Sequence, residues 1–99
     1  MIRLTAYIGT AEIGIIAVQG LCTLLLARHG YSTDTVDGAW TDDDGNIIAE
    51  TSLRVITYCD DDTAADTVAA ALTDIGRAAG QTCILLERVA VRAEFIGTR

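Results

Sequence analysis

The chain contains no proline and no lysine. Without proline there is no cis-Pro turn and no stiff polyproline linker. All seven basic residues are therefore arginine, and fourteen acidic residues outweigh them to a net charge of −7. A duplex is bound by neutralising its phosphates with Lys and Arg, so nucleic acid is not an expected partner. An anionic membrane surface is disfavoured on the same ground. The acidity reads as what keeps a small apolar protein dissolved.

Metal ligands are scarce as well. Cys22, Cys59 and Cys83 are widely spaced and His29 stands alone, with no C-x-x-C pair among them. A zinc site is not expected, and the thiols read as reduced core residues of a cytoplasmic protein. Gly9 and Gly14 match neither glycine-rich phosphate fingerprint, and no cofactor is expected. The opening Met1–Gly9 lacks a basic region leading into a long apolar stretch, so no secretion signal is expected. The longest apolar run, Ile13 to Ala27, is interrupted by Gln19, Gly20 and Thr23 and is too short to span a bilayer.

What is present is periodicity. The 99 residues make one expected domain, 1–99, with a modest core. Ile2, Leu4, Ala6 and Ile8 alternate with Arg3, Thr5 and Tyr7, which predicts a half-buried strand over 2–8. Gly9 ends it, and Thr10 is the expected N-cap of a helix over 11–29. Along that helix Ile13, Ile16, Ala17, Gly20, Leu21 and Leu24 form one apolar stripe, taken as the core face. A second set, Ile15, Val18, Cys22, Leu25 and Leu26, widens the apolar surface almost all the way round. In so short a chain the missing cover is most simply another subunit, so this second set is the expected oligomer interface. Gly30 is expected to supply the αL cap that stops the helix.

Residues 32–41 and 47–59 read as strands joined by Asp42-Asp43-Asp44-Gly45-Asn46. A two-residue type I′ turn centred on Asp44-Gly45 would set Trp40 opposite Ala49 and Val36 opposite Leu53. Val36, Trp40, Leu53 and Val55 then share one face. Asp37, Glu50, Ser52, Arg54 and Tyr58 share the other, joined by Arg3, Thr5 and Tyr7. Asp60 to Thr63 cap a second helix of about twenty residues, with acidic groups where the helix dipole favours them. Val68, Leu72, Ile75 and Ala79 form its buried stripe and Gly80 ends it. The final strand over 82–96 changes phase near Glu87-Arg88, which implies a bulge or two short strands.

Strand, helix, strand, strand, helix, strand is the order of an α+β, ferredoxin-like sandwich: an antiparallel sheet with both helices on one face. The alternative is an α+β layering in which the last segment forms an extra edge strand.

Two motifs invite chemistry and one fails at once. With Gly45 at the sixth position of a calcium loop, Trp40 and Thr51 occupy the first and twelfth, where acidic ligands are required. The two aspartate triplets lie at opposite ends of one strand, roughly 40 Å apart, and make no compact patch in a monomer. The remaining constellation is the open sheet face: Arg3, Tyr7, Asp37, Glu50, Arg54 and Tyr58. An enzyme would use Glu50 as a base and Arg54 as an anion anchor. A salt-bridged surface or a subunit interface would show the same residues. His29, at a helix end, complements the dipole there.

The stretch Gly38-Ala39-Trp40, the acidic turn with Asp44-Gly45, and Glu50-Thr51-Ser52 entering a strand resemble a pattern of small uncharacterised bacterial and bacteriophage domains. Gln81 at the start of the last strand and the Phe95-Ile96 ending add to the likeness. It covers about the C-terminal two thirds, implies the same fold, and implies no particular activity.

Three functional readings stand. The first is a non-enzymatic interaction module that self-associates, with a dimer as first guess, and binds a foreign protein as a phage-encoded modulator of a host factor. The second is a small-molecule-binding regulatory domain with ligand sites between subunits, where Arg3, Arg54 and Tyr7 hold the ligand. The third is a small enzyme using Glu50 and Arg54. The lack of a nucleophile or metal set points away from the third.

Overall fold

Strand alternation and turn chemistry decide the frame. The computed structural model describes residues 1–99. Its elements are β1 (Ile2–Gly9), α1 (Ile15–Leu26) with a 3-10 turn over Ala27–His29, β2 (Ser32–Thr41), β3 (Ile47–Cys59), α2 (Asp62–Ala78) and β4 (Leu85–Ala90). The sheet order is β2-β3-β1-β4 and every neighbouring pair is antiparallel. This is the ferredoxin-like arrangement. Both helices bury their apolar sides against one face, where Leu4, Ala6, Ile8, Leu53 and Val55 meet Val18, Cys22, Leu26, Val68, Leu72 and Ile75 in a single core. No helix is long and apolar enough to cross a membrane.

α2 forms as its pattern predicts. Asp61 is the N-cap, its carboxylate accepting from the Ala64 backbone N–H at 2.8 Å. Val68, Leu72, Ile75 and Ala79 are all buried. Its end is a Schellman motif: Gly80 takes φ +77°, its N–H donates to Arg77, and the Gln81 N–H donates to Gly76. The side chain of Ile84 fills the space above Gly76, where a Cβ would stand 2.8 Å from Ile84 Cγ2.

α1 departs from expectation in three ways. It starts at Ile15, with Gly14 at φ +88° as its N-cap, because residues 10–13 form a separate turn closed by Gly14 N–H to the Thr10 carbonyl. Thr10 is therefore no cap; its hydroxyl donates to the Thr51 carbonyl at 2.8 Å. The two apolar faces are also exchanged. Val18, Cys22 and Leu26 are fully buried, and Ile15 and Leu25 pack partly against them, so the set expected at an oligomer interface faces the chain's own core. Most of the stripe expected in the core is outside, with Ile16 80% and Leu24 77% exposed, and of that stripe only Leu21 packs partly against the core. A helix that is apolar nearly all round has no polar face to orient it, so packing against α2 and β3 decides. Gly30 ends the helical stretch as expected, but at φ +74° and ψ 135° its conformation is not that of an αL cap.

The β2–β3 hairpin corrects the register. Asp42 Oδ1 accepts from the Asp44 and Asn46 backbone N–H groups at 2.9 and 2.8 Å, and the Gly45 N–H donates to the Asp42 carbonyl. Only Gly45, at φ +83°, has a positive φ in this turn. The connection is thus a type I turn followed by a left-handed glycine, one residue longer than a type I′ turn. The pairing shifts by one: Trp40 lies opposite Ile48, Gly38 opposite Glu50 and Val36 opposite Ser52. A one-residue slip carries every β2 side chain to the other face. Trp40 and Val36 join Glu50 and Arg54 on the open face, and Asp37 leaves it.

Two further features matter for the site. β1 pairs with β3 only over Ser52–Cys59, so the rest of the hairpin projects beyond the body as a two-stranded arm. The last strand is shorter than expected and carries no bulge, pairing evenly with β1 from Leu85 to Ala90. Residues 91–99 form no regular structure, and Phe95 is 93% exposed.

Candidate functional site

Where the arm leaves the body, three elements converge on the end of β1. β3 supplies Glu50 and Ser52, β2 supplies Trp40, and the Schellman end of α2 delivers Gln81 with Thr82 and Cys83 behind it. Together with Tyr7, Gly9, Ile84 and Leu85 they line an open cavity of about 420 Å³. That volume lies within the range of small-molecule sites.

Glu50 is the only charged group in the cavity lining. It is half-buried, and both its oxygens are engaged: Trp40 Nε1–H donates to Oε2 at 3.1 Å and the Ser52 hydroxyl approaches Oε1 at 3.4 Å. Trp40 reaches it diagonally across the strand pair, because the residue directly opposite Glu50 is Gly38, which carries no side chain. Gly9 is buried and is a glycine for cause. A Cβ there would stand 2.5 Å from Gln81 Oε1 and 2.7 Å from Glu50 Oε1.

The neighbouring row on the open face is already neutralised. Arg54 lies between Tyr7 on β1 and Asp34 on β2. Its Nε–H donates to Asp34 Oδ1 at 2.8 Å, and Nη2 donates to Asp34 Oδ2. These bonds push the guanidinium further toward its charged form, with Tyr7 adding to the effect, and they hold the Asp34 carboxyl below the usual carboxylate range. The expected role of Arg54 as a free anion anchor does not fit, because its fork is occupied by Asp34.

The predicted open-face residues thus divide. Glu50 and Tyr7 meet in one cavity, with Arg54 just beyond. Arg3 and Tyr58 are cross-strand partners at the far end of the face, about 26 Å along β3 from Glu50. Tyr58 there borders a separate hollow with His29, Asp60, Val68 and Phe95. Asp37 faces the opposite side and accepts from the Thr51 hydroxyl at 2.8 Å. Sequence reasoning missed Trp40, Gly9, Gln81 and Cys83. The readable signal was Asp42, whose side chain starts the turn and so sets the register of Trp40. No cluster of three or more His, Cys, Asp or Glu residues gathers to hold a metal ion.

Fold and site together define a small ferredoxin-like domain with an acidic, aromatic-edged cavity at the root of a hairpin arm. Neither a protein-family model nor a curated protein matches the chain. Solved structures do. A phage SAM lyase in its apo state superposes with a TM-score of 0.70 at 14% identity, covering 97% of this chain and 92% of the other. The phage SAM lyase bound to S-methyl-5′-thioadenosine gives 0.64 at 14% identity, covering 89% and 79%. A DUF3240 family protein from Shewanella baltica gives 0.54 at 11% identity, covering 98% and 97%. These likenesses establish the fold.

Proposed function

We propose that the chain acts on S-adenosylmethionine, cleaving it as a lyase at the Glu50 cavity. The observation that carries the reading is the carboxylate of Glu50, fixed by the Trp40 indole in an open cavity whose lining holds no cationic side chain. A sulfonium is a cation, and a carboxylate beside aromatic rings attracts one. The net charge of −7 draws such a ligand from a distance. The fold shared with a phage SAM lyase supports the reading.

Release of S-methyl-5′-thioadenosine breaks the bond between the sulfonium sulfur and the aminobutyrate chain. The electron pair stays on sulfur and cancels its charge, while the carbon it leaves forms a bond to the substrate's own carboxylate oxygen, closing a lactone that keeps the ammonium, so no outside nucleophile or base is needed. Glu50, with both oxygens accepting hydrogen bonds, serves here as a fixed anion that holds the cationic substrate. The test is to incubate the purified chain with S-adenosylmethionine and separate the products by chromatography with mass detection. S-methyl-5′-thioadenosine appearing as substrate disappears, and failing to appear with Glu50→Gln, is the expected result. Intact substrate with the native chain overturns the reading.

A second reading, a self-associating interaction module, is favoured by a different observation. The hairpin arm exposes Trp40, Ile47 and Ile48, and α1 exposes Ile16 and Leu24. A lone two-stranded ribbon is marginal in water, and a second copy of the chain would cover it. Light scattering should then give a dimer or larger, reduced to a monomer by Ile16→Asp with Leu24→Asp. A monomer at high concentration of the native chain overturns it.

A further inference from the structure

Two oxygens converge above Gly9. A single point over its Cα lies 2.5 Å from Gln81 Oε1 and 2.7 Å from Glu50 Oε1. The two oxygens are therefore at most about 5.2 Å apart, a separation that a single donor at ordinary hydrogen-bond distance can bridge. Neither group offers a hydrogen of its own there. Glu50 is an acceptor, and the Gln81 amide turns its Nε2 toward the Ala79 carbonyl at 3.5 Å, which leaves Oε1 facing the cavity. Glu50 is held from the other side by Trp40. Gln81 is anchored through its backbone, as the residue whose N–H closes the Schellman motif onto Gly76. The result is a preformed pair of acceptors, one of them anionic, over a floor that only glycine leaves open.

We propose that Glu50 Oε1 and Gln81 Oε1 over Gly9 form a subsite for a primary ammonium, which reads the α-amino group of the substrate's amino-acid half. This deepens the S-adenosylmethionine reading and rests on it. An ammonium has three hydrogens to divide between the two oxygens, and the ionised one makes the bond charge-assisted. The subsite gives the chain a means to prefer ligands that retain the amino-acid half over nucleosides that lack it.

The experiment is calorimetric titration of the full chain with two unreactive thioethers. S-adenosylhomocysteine carries the ammonium, and S-methyl-5′-thioadenosine does not. Two variants act on the subsite by different means: Gly9→Ala pushes both acceptor oxygens out of place, and Gln81→Met removes one acceptor at nearly constant size. Each should weaken S-adenosylhomocysteine about tenfold or more, the worth of a hydrogen bond to a charged group. Each should leave S-methyl-5′-thioadenosine within about twofold. Because Gly9→Ala displaces two side chains and can disturb β1, Gln81→Met is the deciding variant, with an unchanged far-ultraviolet spectrum as its control. Equal loss of both ligands, or no loss of either, overturns the subsite and leaves the parent reading standing. A native chain that binds neither ligand overturns both.

Discussion

Trp40 donates its indole N–H to Glu50 Oε2 at 3.1 Å, from a strand that would present it to the opposite face if the hairpin turn were one residue shorter. The bond ties the chain's one tryptophan to the charged group of its cavity. Trp40→Phe keeps an aromatic surface and removes the donor. Affinity for S-adenosylhomocysteine should fall about fivefold, since the carboxylate loses the bond that positions it. Calorimetry checks this. An unchanged affinity would mean that the indole N–H does not orient Glu50.

The exchange of faces on α1 makes a sharp contrast between two leucines two residues apart. Leu26 is fully buried, and Leu26→Ala should cost about 2–5 kcal/mol through lost burial and the cavity left behind. Leu24 is 77% exposed, and Leu24→Ala should change monomer stability by no more than about 0.5 kcal/mol. Urea unfolding of both variants decides. Equal losses would place both leucines inside, contrary to the fold described.

What could be read from the sequence divides along physical lines. β2 and β3 run over the residues predicted for them, and the buried stripe of α2 is the one its spacing gives, because the polar side of α2 leaves one solution. α1 has no such side. Ile16 and Val18 are equally apolar, so periodicity shows that a helix forms without showing which way it turns. The hairpin failed differently. Asp44-Gly45 marks a turn, but the side chain of Asp42 capping Asp44 and Asn46 adds a residue to it and reverses Trp40 and Asp37. Glu50 and Tyr7 could be named as neighbours on one face. Gln81 and Gly9 could not, since they meet only when the end of α2 reaches the end of β1, some seventy residues apart in sequence.

The Asp42 turn carries a pH signature. Hydrogen bonds hold its carboxyl below the usual carboxylate range, led by the Asn46 backbone N–H and joined by the Asn46 amide and the Asp44 and Gly45 backbone N–H groups, which together outweigh the opposing effect of desolvation. A carboxyl with a folded pKa below its unfolded value stabilises the fold above the unfolded value, near 3.9 for an aspartate. That contribution disappears as pH falls through the folded pKa. Other carboxylates also titrate there and relieve repulsion, so the informative quantity is the difference between native chain and Asp42→Ala. The native chain should have the higher urea midpoint at pH 7, and the gap should close below about pH 4. A gap that persists at pH 2 would show that the carboxylate's charge does not hold the turn.

The three cysteines differ in what surrounds them. Cys22 and Cys59 are buried, and burial pushes the Cys22 thiol above its ordinary pKa, which suppresses the reactive thiolate. Cys83 is exposed and lines the Glu50 cavity. A thiol reagent at pH 8 should therefore modify one group rapidly and the other two only on unfolding in urea. A bulky maleimide on Cys83 should occupy the cavity and weaken S-adenosylhomocysteine binding at least tenfold, whereas Cys83→Ser, which adds no bulk, should bind as the native chain does. Binding that survives the maleimide would move the ligand site away from Glu50, and rapid reaction of all three thiols would contradict the packing of α1 against the sheet.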